Sequence, residues 1–330
     1  MKRILLICTG GTIASGETAS GLAPVLTGDV LLAAVPAVKG LCAVDCVQPF
    51  AIDSTDMTPG RWLELTETIR AGYETYDGFV VCHGTDTMAY TAAALSYLVQ
   101  GGDKPVVLTG GQNPIDAPGS DAVGNLLDAF TVAVDGRAPG VSVVFAGDAI
   151  SGTHVRKVRT HSDRAFISVN APLLGRVVDG GYRPEKTERT GGGPVCFSDK
   201  LDEKVFLMKL TPGAQADQLA FLLERGDGVV LEGYGLGGVP GGPDGPFCEA
   251  LRRGAAAGRL VAACTQVPFE GTDLSVYSVG QRLLGIPGVV ECGTMTPEAA
   301  VCKLMWALGQ SEDRDKALRL FKAPAAGDAG

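Results

Sequence analysis

The amino-acid sequence predicts an α/β protein with a larger N-terminal domain, built on a doubly wound parallel sheet, and a smaller C-terminal α/β domain. In the first half of the chain, short apolar runs alternate with stretches of helical periodicity, a pattern typical of parallel βαβ units. The chain has 330 residues, and because one domain usually takes roughly 100–200 residues, we expect two domains.

The N-terminal domain is predicted to span residues 1–182. Its candidate strands are the short apolar runs 3–8, 43–50, 79–82, 106–109 and 141–146. A first helix is expected after Thr58, which can cap it, with Pro59 at the first helical position. Its apolar residues recur at helical spacing, at Trp62, Leu65 and Ile69. Two further helices are predicted over 88–99 and 121–134.

A change of composition predicts the boundary between the two domains. Residues 183–203 interrupt the alternation with Pro184, a glycine-rich run and mixed charges, which is typical of a linker. The C-terminal domain is then expected over 204–330. Its predicted strands are 205–210, 229–232 and 260–265, and its predicted helices are 214–223, 247–257, 277–284 and 297–308. We expect the tail, 323–330, to fray because its residues are small or polar.

Charge and hydropathy narrow the possible partners. The formal net charge of -9 and the lack of clustered Lys and Arg argue against a nucleic-acid partner, so a small molecule is the expected ligand. No apolar run reaches the roughly 18 residues of a transmembrane helix, and the run after Arg3 is too short for a secretory signal. We therefore expect no membrane partner and a cytoplasmic location.

The cysteines and histidines predict neither disulfides nor a metal site. The nine cysteines are odd in number and form no CxxC pair, and Cys8 and Cys82 end apolar runs, as buried structural thiols do. Of the three histidines, His154 and His161 stand apart from any cysteine. Because a metal site needs its ligands closely grouped, we expect no metal and no other cofactor.

The candidate chemistry lies in the loops that follow the N-terminal strands, since open parallel sheets bind ligands at the carboxyl ends of their strands. These loops are 9–13, 53–56, 83–87 and 110–112, and the loop after the fifth strand carries Lys157. Glycines in the first and third loops allow backbone N–H groups to approach a ligand closely. Such preorganised donors can stabilise an oxyanion.

A threonine hydroxyl in these loops can attack a carbonyl only when a base removes its proton. His83 is one candidate base, but we favour the alternative of a packed, structural histidine. Thr85 with Asp86 and Lys157 is the stronger combination, because a lysine drawn into a cleft loses hydration and its pKa falls. The alternative for Lys157 is an ordinary solvated surface lysine.

Two segments, 9–14 (TGGTIA) and 83–88 (HGTDTM), resemble the two threonine signatures of the bacterial L-asparaginase family. The resemblance continues through 53–57, Lys157 with 165–166, 232–235 and 294–298, so it covers nearly the whole chain. With no secretory signal, the chain is similar to the cytoplasmic (type I) branch of that asparaginase/glutaminase family. Members are oligomeric, which implies a homodimer or a homotetramer.

The resemblance implies hydrolysis of the side-chain amide of L-asparagine to L-aspartate and ammonia. Thr12 would be the nucleophile that forms an acyl-enzyme, while Thr85, Asp86 and Lys157 would relay a proton and position water. Which threonine attacks first stays open. Besides Thr85 and Asp86, the residues implied in substrate binding are Gly11, Asp53, Ser54, Thr55, Gly84, Gly111 and Gln112.

One departure from the family concerns the loop after the first signature. Many members carry a tyrosine there that helps to activate the nucleophile, whereas this loop, 15–24, has none and Leu22 takes its place. Another group must then activate the nucleophile, or turnover is slow. The glycine-rich loop itself is predicted to act as a lid that excludes water.

Three alternatives stay open. A mixed glutaminase-asparaginase is one, because a single methylene is discriminated by only about 1–3 kcal/mol. A second is the amidase subunit of a tRNA-dependent amidotransferase, although those subunits carry an added N-terminal domain and the first signature here begins at Thr9. The third, a nucleotide-binding sensor, fits poorly, because Gly10 and Gly11 are adjacent and do not match G-x-G-x-x-G.

Overall fold

A computed structural model describes residues 1–18, 21–185 and 193–328 of the chain. The chain divides into two units, Met1–Asp199 and Lys200–Gly330, and each combines a parallel sheet with helices. The predicted fold class, a larger N-terminal parallel-sheet domain and a smaller C-terminal α/β domain, is confirmed.

The elements of the first unit follow the expected alternation. Its strands are β1 (Arg3–Cys8), β2 (Ser15–Thr18), β3 (Gly21–Pro24), β4 (Ala43–Val47), β5 (Gly78–Cys82), β6 (Val99–Gln100), β7 (Pro105–Thr109), β8 (Gly140–Phe145), β9 (Asp148–Ser151), β10 (Val155–Lys157), β11 (Phe166–Ser168), β12 (Gly175–Val178), β13 (Gly181–Pro184) and β14 (Cys196–Phe197). Its α-helices are α1 (Gly28–Ala34), α2 (Pro59–Gly72), α3 (Met88–Leu98) and α4 (Ala122–Asp135). Short 3₁₀ helices cover Thr12–Ala14, Pro36–Gly40 and Ser54–Asp56.

Within the described residues, the main sheet of this unit has eight strands in the order β13-β12-β9-β8-β7-β5-β1-β4. Five neighbouring strands of this sheet, in the order β8-β7-β5-β1-β4, pair in parallel. The remaining three strands extend the sheet in antiparallel fashion. The loops after β1, β4, β5 and β7 therefore share one edge of the sheet.

Alternate residues of β1 show why the sheet is doubly wound. Leu6 packs into a buried cluster that includes Leu126 of α4, whereas Leu5 packs into a second cluster that includes Leu65 of α2 and Leu95 of α3. Both faces of the strand are covered by helices, which is why β1 is a continuous apolar run rather than an alternating one.

Helix α2 begins where its sequence predicts. The Thr58 side chain accepts a hydrogen bond from the Arg61 backbone N–H at 3.4 Å, and Pro59 occupies the first helical position. The second strand differs from its prediction over 43–50, because β4 ends at Val47. Pro49 follows, and proline has no N–H to donate to a strand ladder.

Several elements of the first unit were not predicted. Helix α1 and strands β9 to β13 are short, and left-handed turn residues separate some of them, such as Ala146 (φ 50°) and Asp179 (φ 53°). Segments this short contain too few residues to show a clear helical or strand periodicity of apolar residues, so the sequence does not reveal them. Of the expected linker, residues 186–192 lie outside the described residues, and β13 and β14 border them.

The second unit contains a parallel sheet in the order β15 (Val205–Lys209), β16 (Gly228–Gly233), β17 (Leu260–Thr265) and β18 (Val289–Glu291). Its helices are α5 (Ala216–Arg225), α6 (Pro246–Ala256), α7 (Ser278–Leu284), α8 (Pro297–Gly309) and α9 (Arg314–Lys322). The sequence predicts all of them except β18 and α9. Thr296 caps α8 by accepting from the Ala299 N–H at 3.1 Å.

The expectation that the tail frays is wrong for residues 323–328. Asp328 is buried, and its Oδ2 lies 2.7 Å from Nζ of Lys303 on α8, with both side chains at most 3% exposed. Lys303 Nζ also donates to the Ala323 carbonyl at 2.8 Å. The partner of the tail is distant in sequence, so a local pattern does not reveal it.

The nine cysteines all lie among the described residues and all are free thiols. Seven of them are buried, which agrees with their interpretation as small apolar core residues. No helix in the described part of the chain combines the length and the apolarity that crossing a bilayer requires.

Candidate active site

Three loops at the edge of the first sheet meet backbone to backbone. Gly11 follows β1 and donates its N–H to the Ile52 carbonyl at 3.0 Å, so the first loop is held against the chain beyond β4. A Cβ on Gly11, whose φ is +76°, would lie 2.3 Å from Cα of Gly84. A Cβ on Gly84 would lie 2.6 Å from Oγ of Ser54. Only glycines at 11 and 84 allow this approach.

Thr12 begins a single 3₁₀ turn directly after Gly11. The next two residues, Ile13 and Ala14, are buried, and Ser15 Oγ donates to the Gly11 carbonyl at 3.0 Å. These contacts anchor both sides of Thr12, whose own side chain is partly exposed. Thr12 therefore lies at the strand edge, directly after the glycine that contacts Gly84.

Lys157, at the end of β10, contacts two residues of the second signature. Its Nζ donates to Thr85 Oγ1 at 2.7 Å and to Asp86 Oδ1 at 2.6 Å. The Lys157 side chain is only 16% exposed, whereas that of Asp86 is 60% exposed. Lys157 is therefore not a solvated surface lysine, and Asp86 keeps its carboxylate open toward solvent.

Gln112 completes the surroundings of Thr85. The Thr85 hydroxyl donates to Gln112 Oε1 at 3.2 Å, and Gln112 Nε2 donates to the Ser162 carbonyl at 3.4 Å. The hydroxyl thus accepts from the Lys157 ammonium and donates to an amide oxygen, which fixes its direction. Gly111 is buried beside Gln112, and a Cβ there would lie 2.7 Å from Cβ of Ala122.

Asp53 and Thr55 bind each other. Asp53 Oδ1 accepts from the Thr55 N–H at 2.8 Å and from its hydroxyl at 2.7 Å, and these hydrogen bonds lower the pKa of Asp53. Ser54 between them is buried, and its carbonyl accepts from the Thr87 hydroxyl at 2.7 Å. Asp53 and Thr55 therefore shape the turn that presents Ser54 to Gly84.

The His83 side chain is buried in the interior and is not among the side chains that contact Thr85 or Asp86 at the sheet edge. Its Nδ1 donates to the Gly84 carbonyl at 2.7 Å, and its Nε2 accepts from the Thr91 hydroxyl at 2.9 Å. Thr91 in turn accepts from Trp62 Nε1 at 3.0 Å. Complete burial lowers the pKa of His83 to about 4, so the ring is neutral near pH 7. The geometry supports the packed alternative for this residue.

Two family models match this chain. Residues 3–189 match the N-terminal domain of asparaginase, and residues 204–321 match the C-terminal domain of glutaminase and asparaginase. The chain belongs to the asparaginase family. The family resemblance of its two threonine signatures is thereby confirmed, and the chain is an amidohydrolase of that family.

Relatives within the family carry two kinds of name. An L-asparaginase of Thermococcus kodakarensis is 37% identical over 328 residues, which cover 99% of this chain and 98% of that protein. A glutamyl-tRNA(Gln) amidotransferase subunit of Pyrococcus furiosus is also 37% identical, over 343 residues that cover 99% of this chain and 77% of that protein. Sequence identity alone does not separate the two.

Solved asparaginase structures share the fold over the full chain. The thermostable L-asparaginase from Thermococcus kodakarensis superposes with a TM-score of 0.91 at 36% identity, covering 99% of both chains. L-asparaginase I from Vibrio cholerae gives a TM-score of 0.88 at 28% identity, covering 100% of this chain and 99% of that one.

Within this asparaginase-family site, the structure brings Gly11, Ser54 and Gly84 together and joins Thr85, Asp86, Lys157 and Gln112. In the loop over 15–24, residues 19–20 and the side chain of Leu22 lie outside the described part of the chain. That this loop acts as a lid, and that another group replaces the family's tyrosine, therefore stay predictions. Among residues 1–18, 21–185 and 193–328, no group of three or more metal-ligating side chains is arranged to hold an ion.

Proposed function

We propose that this chain hydrolyses the side-chain amide of L-asparagine to L-aspartate and ammonia. The observation that carries the proposal is the contact of Lys157 Nζ with both Thr85 Oγ1 and Asp86 Oδ1, at 2.7 and 2.6 Å. An amine that contacts both a hydroxyl and a carboxylate can pass a proton and bind a charged amino acid. Binding such a zwitterion suits a site at the strand edge of an open sheet.

Thr12 is the proposed nucleophile. Its hydroxyl oxygen forms a bond to the amide carbon of the substrate, and the oxyanion that results accepts from the backbone N–H of Thr85. The N–H of Gly11, which the family resemblance also implies as a donor, is already bound to the Ile52 carbonyl. The C–N bond then breaks, the hydroxyl proton ends on the leaving nitrogen, and ammonia departs. Water attacks the remaining ester, which releases L-aspartate and restores the Thr12 hydroxyl.

Thr85, Asp86 and Lys157 form the second proposed group. Lys157 and Thr85 relay a proton during the reaction, and this pair positions the water that cleaves the ester.

Asp86, with its exposed carboxylate, binds the substrate α-amino group, and Ser54 binds the α-carboxylate. Asp53, Thr55, Gly84, Gly111 and Gln112 form the remaining walls of the substrate site. Activity of the Thr12 and Lys157 variants decides the order in which the two threonines act.

The proposed location and oligomeric state follow from the family resemblance. We propose a cytoplasmic homodimer or homotetramer that needs neither a metal nor another cofactor. Gel filtration with light scattering on the purified chain tests the assembly, since a monomer at micromolar concentration would contradict it.

A second candidate function rests on the relatives named as amidotransferase subunits, which are as similar as the L-asparaginase. In that case the chain would be the amidase component of a tRNA-dependent amidotransferase and would depend on a partner. A mixed glutaminase-asparaginase is the related possibility, because the two amides differ by one methylene.

The deciding experiment measures ammonia release by the purified chain on L-asparagine and L-glutamine, without tRNA and without partner proteins. Release from L-asparagine that Thr12→Ala lacks supports the proposal. Comparable release from both amides favours the mixed enzyme. Release that begins only with tRNA and a partner protein favours the amidotransferase, and no release under either condition overturns the enzymatic proposal.

A further inference from the structure

Asp121 precedes α4 but does not cap it with its side chain. A carboxylate in this position ordinarily accepts from the first N–H groups of the helix that it precedes. Asp121 makes no such capping hydrogen bond. The hydroxyl of Ser120 accepts instead from the Ala122 N–H at 3.1 Å. The Asp121 carboxylate is therefore directed elsewhere.

Both oxygens of Asp121 bind the loop after β7. Oδ2 accepts from the Gln112 backbone N–H at 2.9 Å, and Oδ1 accepts from the Asn113 backbone N–H at 3.0 Å. Hydrogen bonds to a charged acceptor are roughly twice as strong as neutral ones. A single carboxylate thus fixes two consecutive peptide groups of the loop that carries Gln112.

Asn125, one turn further along α4, supports this carboxylate from the interior. It is 3% exposed, and its Nδ2 donates to Asp121 Oδ2 at 3.1 Å and to the Gly110 carbonyl at 3.0 Å. Its Oδ1 accepts from the Ala146 N–H at 2.9 Å. Because every polar atom of this buried amide is paired, Asn125 holds Asp121 rigidly. We call these two side chains the Asp121–Asn125 clamp.

The clamp supports Gln112, and Gln112 touches the proposed proton-handling group. Its Oε1 accepts from the Thr85 hydroxyl at 3.2 Å, while Lys157 Nζ donates to the same hydroxyl oxygen at 2.7 Å. The O–H bond of Thr85 therefore points at Gln112, and an oxygen lone pair faces Lys157. A displaced Gln112 would let the hydroxyl rotate.

We propose that Asp121 is a positioning residue of the active site. Through the Gln112 backbone it keeps the Gln112 amide oxygen on the Thr85 hydroxyl, and this holds a lone pair of the Thr85 oxygen toward Lys157, the orientation in which the Lys157 ammonium donates a proton to Thr85. The inference rests on the proposed function, which assigns Thr85 and Lys157 to proton transfer. Asp121 contacts neither Ser54 nor Asp86, the proposed anchors of the substrate, and Gln112 is only one wall of the substrate site, so loss of Asp121 should lower kcat more than it raises KM.

Asp121→Asn tests the proposal. The amide keeps the size of the side chain but turns an NH₂ group toward a backbone N–H, which cannot accept it. We expect kcat to fall about 10- to 100-fold, as small displacements of catalytic groups do, with KM changed by less than about threefold. An unchanged kcat, or a loss confined to KM, overturns the proposal.

Asp313→Asn is the matched control. Asp313 begins α9 in the other unit, where its Oδ1 accepts from the backbone N–H groups of Asp315 and Lys316 at 2.9 and 3.2 Å. The substitution removes the same kind of contact far along the chain from the loop after β7. It should lower the melting temperature and leave kcat unchanged.

A double-mutant cycle tests the route through Gln112. If Asp121 acts by holding Gln112, then Asp121→Asn should change kcat by less than about twofold when Gln112→Ala is already present. An equal loss of kcat in both backgrounds would show that Asp121 acts by another route, and the proposal would fall.

Amide hydrogen exchange separates this inference from the proposed function, because it needs no turnover. In Asp121→Asn, the N–H groups of Gln112 and Asn113 should exchange at least about tenfold faster than in the wild type, and Asp313→Asn should not alter them. Unchanged exchange overturns the clamp. A wild type that releases no ammonia overturns the proposed hydrolysis, while the exchange rates still decide whether Asp121 holds the loop.

Discussion

Gly11 and Gly84 are in direct backbone contact, and a Cβ on Gly11 would lie 2.3 Å from the Gly84 Cα. The two residues belong to different threonine signatures, on the loops after β1 and β5. Their contact places Thr12 and Thr85, each the residue that follows one of these glycines, along the same edge of the sheet. The proposed nucleophile and the proposed proton-handling group depend on this contact.

Gly11→Ala should therefore abolish ammonia release and destabilise the protein. The new methyl group meets backbone that cannot rotate away, and the residue would be strained at a φ of +76°. Urea unfolding should show a loss of about 2–4 kcal/mol. Gly213→Ala is the control, because it has a φ of +90° but open space around its Cβ, and it should cost about 1 kcal/mol. Equal losses for the two variants would contradict the close contact.

Thr12→Ala should lose turnover while L-aspartate still binds, since the proposed contacts to the amino-acid backbone come from other residues. Isothermal titration measures the binding and an ammonia assay measures the turnover. Thr12→Ser, which restores a hydroxyl, is the matched variant and should retain part of the rate. Turnover near the wild-type rate in Thr12→Ala would make Thr85 the better candidate for the nucleophile.

Lys157→Met should reduce kcat by about 10²–10⁴, the usual contribution of general acid–base catalysis, without unfolding the protein. Lys39→Met changes an exposed lysine in the same way and should leave kcat as it is. Circular dichroism melts establish that both variants fold. If Lys157→Met kept more than about half of the wild-type rate, the proton-transfer role would be wrong.

His83 should give the protein a pH-dependent stability. Its folded pKa, about 4, lies below the ordinary value of 6.5, so the unfolded chain takes up a proton first as the pH falls. Stability is then lost between pH 6.5 and 4, by about 3 kcal/mol at most. Burial raises the pKa of Asp128 to about 6, which opposes this trend, so the wild type must be compared with a variant.

NMR titration of the histidine rings measures the His83 pKa directly, with His161→Gln to assign the exposed ring. Urea unfolding of wild type and His83→Gln at pH 7 and 4.5 measures the linkage. The difference in stability between the two proteins should shrink as the pH falls. A His83 ring that titrates near 6.5 would contradict its burial.

The buried ion pair of Lys303 with Asp328 should stabilise the second unit. Lys303→Met leaves the Asp328 carboxylate buried without its cation, which typically costs about 3–5 kcal/mol. Arg183→Met removes an exposed partner of Asp179, with side chains 67% and 85% exposed, and should cost less than about 1 kcal/mol. Chemical denaturation of the two variants compares these losses, and similar small values would argue against the buried pair.

Local patterns in the sequence determined the parallel core and the place of the chemistry. Strands β1, β5 and β7 are buried on both faces, so they are continuous apolar runs, and Thr58 with Pro59 marks the start of α2 through contacts within one turn. Because parallel strands end at one edge of a sheet, the loops that follow them could be assigned to one site without a structure. The asparaginase signatures occupy two of these loops.

Only the tertiary structure decided which side chains meet. Lys157 binds Thr85 across 72 positions of sequence, and Asp121 turns away from its own helix toward Gln112. Asp121 stood at the start of a predicted helix and therefore gave no signal beyond that of an ordinary cap. Likewise, Asp328 finds Lys303 in a tail whose composition predicts fraying. Such partners depend on strand order and on the packing of distant elements, which short-range periodicity and capping do not encode.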